Sequence, residues 1–164
     1  MQAKTYIFII MNNKDCSSRD VFICSSNKDY FDENYNINPD SGLAKILEAF
    51  KVADISYWTA WKDIIPGEDY ATKIIQHIKT CKIFVFFSSK SACESEWIPK
   101  EIACALMCKK LIIPVLLDDS PFADSIMLRV IDKPTIEYYR DPIIGASNLV
   151  SFIKTHLAEM ETYY

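Results

Sequence analysis

The sequence predicts an α/β fold: a central parallel β-sheet of about five strands with helices packed on both faces. Two observations predict it. Short apolar runs alternate along the chain with segments of helical spacing, the order expected of parallel strands joined by crossover helices. Two of those runs, "KIFVFFSS" (82–89) and "KLIIPVLLDDS" (110–120), are almost continuously apolar, as strands buried on both faces must be. No internal repeat or low-complexity linker interrupts the pattern. The 164 residues therefore read as one domain spanning 1–164, long enough to bury a core without disulfide or metal staples.

Each element follows in order. The segment "TYIFIIM" (5–11) within residues 1–19 is either an extra edge strand or a terminal extension. "DVFICSS" (20–26) is a strand with a polar exit, followed by the long polar loop "NKDYFDENYNINPDSG" (27–42). "LAKILEAFKVA" (43–53) places Leu43, Ile46, Leu47 and Phe50 on one helix face. "DISYWTAW" (54–61) reads as the next strand, closed by "KDIIPGEDY" (62–70), where Pro66-Gly67 marks a turn. The acids Asp63, Glu68 and Asp69 of that turn read as solvated. "YATKIIQHIKTC" (70–81) is amphipathic through Ile74, Ile75 and Ile78. A helix over "CESEWIPKEIACAL" (93–106) separates the two continuous strands. "KPTIEYY" (133–139) is a further strand and "NLVSFIKTHLAEM" (148–160) a closing helix. In such sheets ligands lie outside the carboxyl ends of the strands, and three of those ends are polar here: "CSSNKD", "KDIIPGED" and "SSKSACESE".

Composition narrows the function. A net charge of -4 with no basic run argues against a general nucleic-acid binder. Three glycines cannot build a glycine-rich phosphate loop. The apolar run Tyr6–Met11 is too short for a signal-peptide core or a membrane span. The six cysteines lie within strand-like and helix-like segments, which points to a reducing, cytosolic compartment in which they act as small hydrophobes. Cys104 and Cys108 share a helix face and, with His77 beside them, offer the residue types of a zinc site, but no CxxC spacing supports metal and packing is the better reading. His77 and His156 belong to amphipathic helices. No Ser-His-Asp or Cys-His constellation is present. A phospho-receiver would need an acceptor aspartate after the middle strand, and "IFVFFSSK" has none.

One residue breaks the pattern. At about 100° per residue, Glu101 projects with Trp97, Cys104, Ala105 and Cys108 on the apolar stripe of its helix, while Pro99, Lys100 and Ala103 form the solvent side. A lone carboxylate there costs several kcal/mol unless it is paired or opens on a cleft. Glu101 either hydrogen-bonds amides at the helix start, which Pro99 places close by, or carries chemistry. Trp97, one turn earlier, either packs in the core or lines a pocket.

In this order the pieces resemble the TIR domain family (Toll/interleukin-1 receptor and resistance-protein domains) from about Asp20 to the C-terminus. "DVFICSSNKD" is similar to the family's first strand and loop, and "DIIPGEDY" to the proline-glycine turn called the BB loop. "CKIFVFFSSKSACESEW" is similar to its third strand and serine-rich exit, and "IIPVLLDD" to its fourth strand. "WIPKE" (97–101) matches the W-x-x-x-E pattern of the enzymatic members. Two departures stand out. Cys24-Ser25 occupies positions where Ser-Tyr or Ser-Phe is usual, and Ala60 one where many bacterial members have an acid. Tyr30, Phe31 or Tyr35 of the long loop would then supply a stacking ring.

The resemblance implies a three-layer, flavodoxin-like TIR fold and cleavage of NAD+ between nicotinamide and ribose. It implies Glu101 as the catalytic carboxylate, with Cys24, Ser25, Ser26, Asp29, Trp58 and Trp97 holding NAD+. Ser26 and Asp29 alternatively cap the loop that follows them. Trp61, Ile65, Pro66, Gly67 and Glu68 would form a surface for association with other TIR domains; of Trp58 and Trp61, one is expected in the core and the other exposed. NAD+ enters as substrate, with no cofactor or metal beyond it. Water attacking the ribose would give ADP-ribose; an atom of the same nucleotide would give a cyclic ADP-ribose read by a downstream effector. The implied setting is cytoplasmic, in bacterial defence or cell-death signalling. A scaffold that associates through the BB loop without turnover is the alternative, and such a scaffold needs no acid at Glu101.

Overall fold

The computed structural model describes residues 18–162; the expected strand or extension over 5–11 lies outside the described residues. Four parallel strands form the sheet: β1 (Val21–Cys24), β2 (Tyr57–Thr59), β3 (Ile83–Ser88) and β4 (Leu111–Leu116). Their spatial order is β2-β1-β3-β4, so β1 and β3 are central. Register pairs Phe22 with Trp58 on one side and with Phe84 on the other. At the amino end of the sheet, the Asp20 carboxylate accepts from the Ser56 hydroxyl at 2.7 Å and pairs with Lys82 at 2.9 Å. One carboxylate thereby ties together the starts of three strands.

Connecting helices are α1 (Gly42–Val52), the single turn α2 (Ala60–Asp63), α3 (Tyr70–Thr80), the short α4 (Lys90–Cys93), α5 (Ile98–Met107), α6 (Asp124–Val130) and α7 (Pro142–Thr162). Side chains alternate across a strand, and here the alternation sorts the core into two layers. Val21, Ile23, Val85 and Phe87 pack with Leu43, Ile46 and Phe50 of α1 and Leu149 and Ile153 of α7. Phe22, Cys24, Phe84 and Phe86 pack with Ile74 and Ile78 of α3 and Ile98, Ile102 and Ala105 of α5. Each buried Val, Leu, Ile or Phe side chain among them contributes about 1.5–3 kcal/mol of transfer free energy. Cys24 therefore faces α5, and this alternation sets up the site.

Two expectations need correction. The sheet has four described strands rather than about five. The expected strand over 133–139 reduces to one parallel bridge, Val115 to Ile136, with Ile136 N–H donating to Pro114 O at 2.9 Å. Pro134 has no N–H to extend this ladder upstream, and the chain turns away into α7 downstream. The expected strand 54–61 is likewise only Tyr57–Thr59. There Asp63 Oδ2 accepts from Thr59 N–H at 2.7 Å and closes the turn α2. Asp63 is thus structural rather than a solvated acid, and Asp69 caps α3 by accepting from Ala71 and Thr72 N–H.

Candidate active site

The exits of β1 and β2, the first turn of α3 and the start of α5 enclose a cleft of about 230 Å³. Ser25 and Ser26 come from the exit of β1, Ala60 and Trp61 from α2, Tyr70 from the first turn of α3, and Ser95, Trp97, Ile98 and Glu101 from α5 and its approach. Helix α5 begins where it does because Pro99 suits a first turn and Ser95 Oγ accepts from the Trp97 and Ile98 N–H groups at 3.3 and 3.4 Å. That start fixes Glu101 one turn in, on the face turned to the sheet.

Glu101 is 7% exposed. Burial pushes its carboxyl up from the usual glutamate range to about 7, with the neighbouring Cys24 thiol the smaller, opposing influence. Near neutral pH the acid is thus balanced between its two forms, in a low-dielectric surround that magnifies any charge interaction.

Aromatic rings wall the cleft. Trp97 is 41% exposed and meets Tyr70 edge-on at 4.9 Å, with Lys100 Nζ 5.2 Å from its ring centre. Trp61 stacks on Tyr30 at 4.4 Å, and its Nε1–H donates to Ser25 Oγ at 3.3 Å. Phe31 closes edge-on against Trp61 at 5.4 Å. On the far side of Trp97 an apolar groove between α3 and α5, lined by Ile74, Ile75, Cys104 and Met107, also reaches Glu101. Of these two the cleft carries polar groups, the hydroxyls of Ser25, Ser26 and Ser95, and it is taken as the candidate site.

The expected site residues separate by position. Ser25, Ser26, Trp97 and Glu101 are brought together in the cleft. Cys24 is fully buried beneath it against Glu101. Asp29 was expected to hold nucleotide, yet it accepts from the Ser89 hydroxyl at 2.8 Å and the Ser91 hydroxyl at 2.6 Å. It fastens the exit of β1 to the exit of β3 and does not line the cleft. Of the two tryptophans, Trp58, expected to hold NAD+, is 4% exposed and stacks on His77 at 4.3 Å in the core, whereas Trp61, expected on the association surface, lines the cleft. The two alternate across the strand end, and α2 swings Trp61 inward.

Residues of the proline-glycine turn lie apart from the cleft. Ile65 is 61% exposed beside Pro66, and Gly67 adopts φ 98°, a conformation that favours glycine. Glu68 braces the turn by accepting from Ile65 N–H at 3.1 Å and pairing with Lys73 at 2.8 Å. Sequence reasoning did not single out Tyr70 and Ser95. Their signals were local: Ser95 stands two residues before Trp97, and Tyr70 directly follows the capping Asp69.

A family model for the TIR domain matches residues 21–140, most of the chain. The chain belongs to the TIR domain family. Its fold is shared with the TIR domain of the Toll-related receptor TRR-2 from Hydra magnipapillata, at TM-score 0.64 and 18% identity over 84% of this chain and 99% of that one. The TIR domains of the activated Roq1 resistosome, which directly recognises the pathogen effector XopQ, align at TM-score 0.53 and 16% identity over 83% of each chain. A metazoan TIR-STING receptor from C. gigas in complex with 2',3'-cGAMP aligns at TM-score 0.58 and 19% identity, covering 82% of this chain but 39% of that one. No curated protein matches this TIR domain in sequence. Among its described residues no helix is long and apolar enough to cross a membrane.

Proposed function

We propose that this TIR domain cleaves NAD+ at the bond between nicotinamide and ribose, with Glu101 as the catalytic carboxylate. The observation that carries the reading is a buried acid, its carboxyl raised to about 7, reaching a cleft walled by Trp61, Tyr70 and Trp97. Nicotinamide in NAD+ is already cationic, so it departs as a neutral base and needs no general acid. Its bonding electrons leave with it, and positive charge develops on the ribose. An ionised Glu101 beside that ribose stabilises the charge, as carboxylates do in glycoside hydrolysis. The incoming pyridinium itself favours the ionised form, because an opposite charge a few ångströms away lowers a carboxyl pKa.

The cleft's volume of about 230 Å³ falls below the roughly 300–1,000 Å³ of sites that enclose a drug-sized ligand. It suits the nicotinamide-ribose end, with Ser25 and Ser26 near the ribose hydroxyls and the Trp97 or Trp61 ring against the base. The adenosine end then runs outside, where a second TIR domain would complete the site. Water attacking the ribose releases ADP-ribose and a proton; an adenine or ribose atom of the same nucleotide gives a cyclic ADP-ribose. Incubation with NAD+ followed by mass analysis separates the outcomes, and unchanged NAD+ at high protein concentration would refute the reading.

A second reading, a TIR scaffold without turnover, is favoured by the apolar Ile65 standing 61% exposed on the Pro66-Gly67 turn. The two are compatible if association through Trp61, Ile65, Pro66, Gly67 and Glu68 assembles the active form. Trp61 is the weakest member of that set, since its ring is engaged at the cleft. The proposal as a whole places a single cytoplasmic domain in defence or cell-death signalling, its nucleotide product read by an effector.

A further inference from the structure

Beside the cleft lies a second, larger hollow of about 540 Å³, formed by the loop that follows β1. Asn27 lines both, so the two spaces meet there. The hollow falls within the roughly 300–1,000 Å³ of sites that enclose a small-molecule ligand, whereas the cleft alone does not. Its other walls are Lys28, Phe31, Asp32, Glu33 and Tyr35. We propose that this hollow seats the adenosine end of NAD+. The adenine lies across the Tyr35 and Phe31 rings, the adjoining ribose hydroxyls face Glu33, and the pyrophosphate passes Asn27 and Lys28. The choice of substrate rests on the NAD+-cleaving reading, and the outer face of the base stays open to a second TIR domain.

Each wall suits its part. Tyr35 is 77% exposed, and its backbone sits at φ 59°, a conformation that bulky residues seldom adopt. Asp32 holds it there: Oδ1 accepts from the Asn34 and Asn36 N–H groups at 2.8 and 2.9 Å, and the carbonyl from Tyr35 N–H at 3.0 Å. The ring is thus presented on a fixed turn, which lowers the ordering cost of binding. The Phe31 and Tyr35 centroids are 6.4 Å apart with planes at 39°, so a base lies over the pair rather than between them. Phe31 also meets Trp61 edge-on at 5.4 Å, which makes one run of rings from the cleft to the hollow. Aromatic faces hold any base by stacking, and a carboxylate such as Glu33 accepts from ribose hydroxyls. Lys28 Nζ stands 3.6 Å from Glu94 with both side chains mostly exposed. Such a pair is worth little, which leaves the ammonium free to turn to a phosphate.

Two measurements test this. Saturation-transfer NMR follows AMP, the adenylate half of the substrate, on the native chain, Tyr35→Asn and Lys28→Gln. Nicotinamide release from NAD+ is compared with release from nicotinamide mononucleotide, which lacks that half. Asparagine tolerates the left-handed conformation, so Tyr35→Asn removes the ring without unseating the loop. The native chain is expected to bind AMP through its adenine protons and to favour NAD+ over the mononucleotide. Tyr35→Asn should lose the AMP signal and cut that preference about tenfold, through KM for NAD+. Lys28→Gln should cut it less, by an amount that shrinks with added salt. An absent AMP signal, or a preference unchanged in both variants, overturns the proposal even if NAD+ is cleaved. So does a Tyr35→Asn effect seen only in how release depends on protein concentration, which would make the ring an association surface. AMP held through Tyr35 by a chain that releases no nicotinamide supports the adenylate site and instead refutes the NAD+-cleaving reading.

Discussion

Asp29 accepts the Ser91 hydroxyl at 2.6 Å across a separation of 62 residues, and with Ser89 it locks the exits of β1 and β3 into one unit. Burial raises the Asp29 carboxyl above its usual range even though Ser91 and Ser89 both hydrogen-bond the charged form. Its replacement by alanine would leave two part-buried hydroxyls without their acceptor, a cost of about 1–3 kcal/mol. We expect Asp29→Ala to lower the denaturation midpoint accordingly and to reduce nicotinamide release through loss of cleft geometry. Chemical denaturation followed by tryptophan fluorescence checks it; an unchanged midpoint with lost NAD+ binding would make Asp29 a direct ligand instead.

Trp58 and Trp61 separate stability from function. Trp58→Ala removes a core ring stacked on His77 and tilted against Phe22 and should cost about 3–5 kcal/mol. Trp61→Ala opens a wall of the cleft. Its effect should fall mainly on KM for NAD+, with a smaller loss of stability than Trp58→Ala. Equal stability losses with no KM effect in Trp61→Ala would contradict the arrangement.

Glu101 makes stability depend on pH in a direction that can be stated. The unfolded chain ionises this carboxyl near 4.5, and the folded chain near about 7. Between those values the folded state holds the extra proton, so the stability it contributes is fully present below the lower value and is lost as pH rises through the upper one. The loss is of the order of 3 kcal/mol. Glu101→Gln cannot ionise and escapes it. The variant should melt above the native chain at about pH 8 and converge with it near pH 4.5. A variant less stable than the native chain at the higher pH would mean that the charged acid is a structural asset.

The proline-glycine turn sets a prediction about concentration. If a second TIR domain completes the site, nicotinamide release rises faster than linearly with protein concentration, and Ile65→Asp abolishes that rise without changing the fold. Release that stays strictly linear down to dilute monomer would place the whole site within one chain.

Much of this was legible in the residues. Continuous apolar runs announced β3 and β4, and the helical spacing of Leu43, Ile46, Leu47 and Phe50 announced α1, because burial leaves period and composition in the sequence. Glu101 was legible as the one acid on an apolar stripe. Trp58 and Trp61 were not, because three residues of strand followed by one helical turn leave no period to read. The tie made by Asp29 was not legible for another reason: its partners Ser89 and Ser91 are 60 and 62 residues away, and a single sequence does not display such a pairing. The fifth strand failed because Pro134 withholds the N–H that a ladder needs.

The most direct test of the account measures nicotinamide release from NAD+ by the native chain and by Glu101→Gln at the same high protein concentration and neutral pH. We expect release by the native chain and, with the fold intact by circular dichroism, a loss of at least about a hundredfold in the variant. Release by Glu101→Gln at the native rate would contradict it.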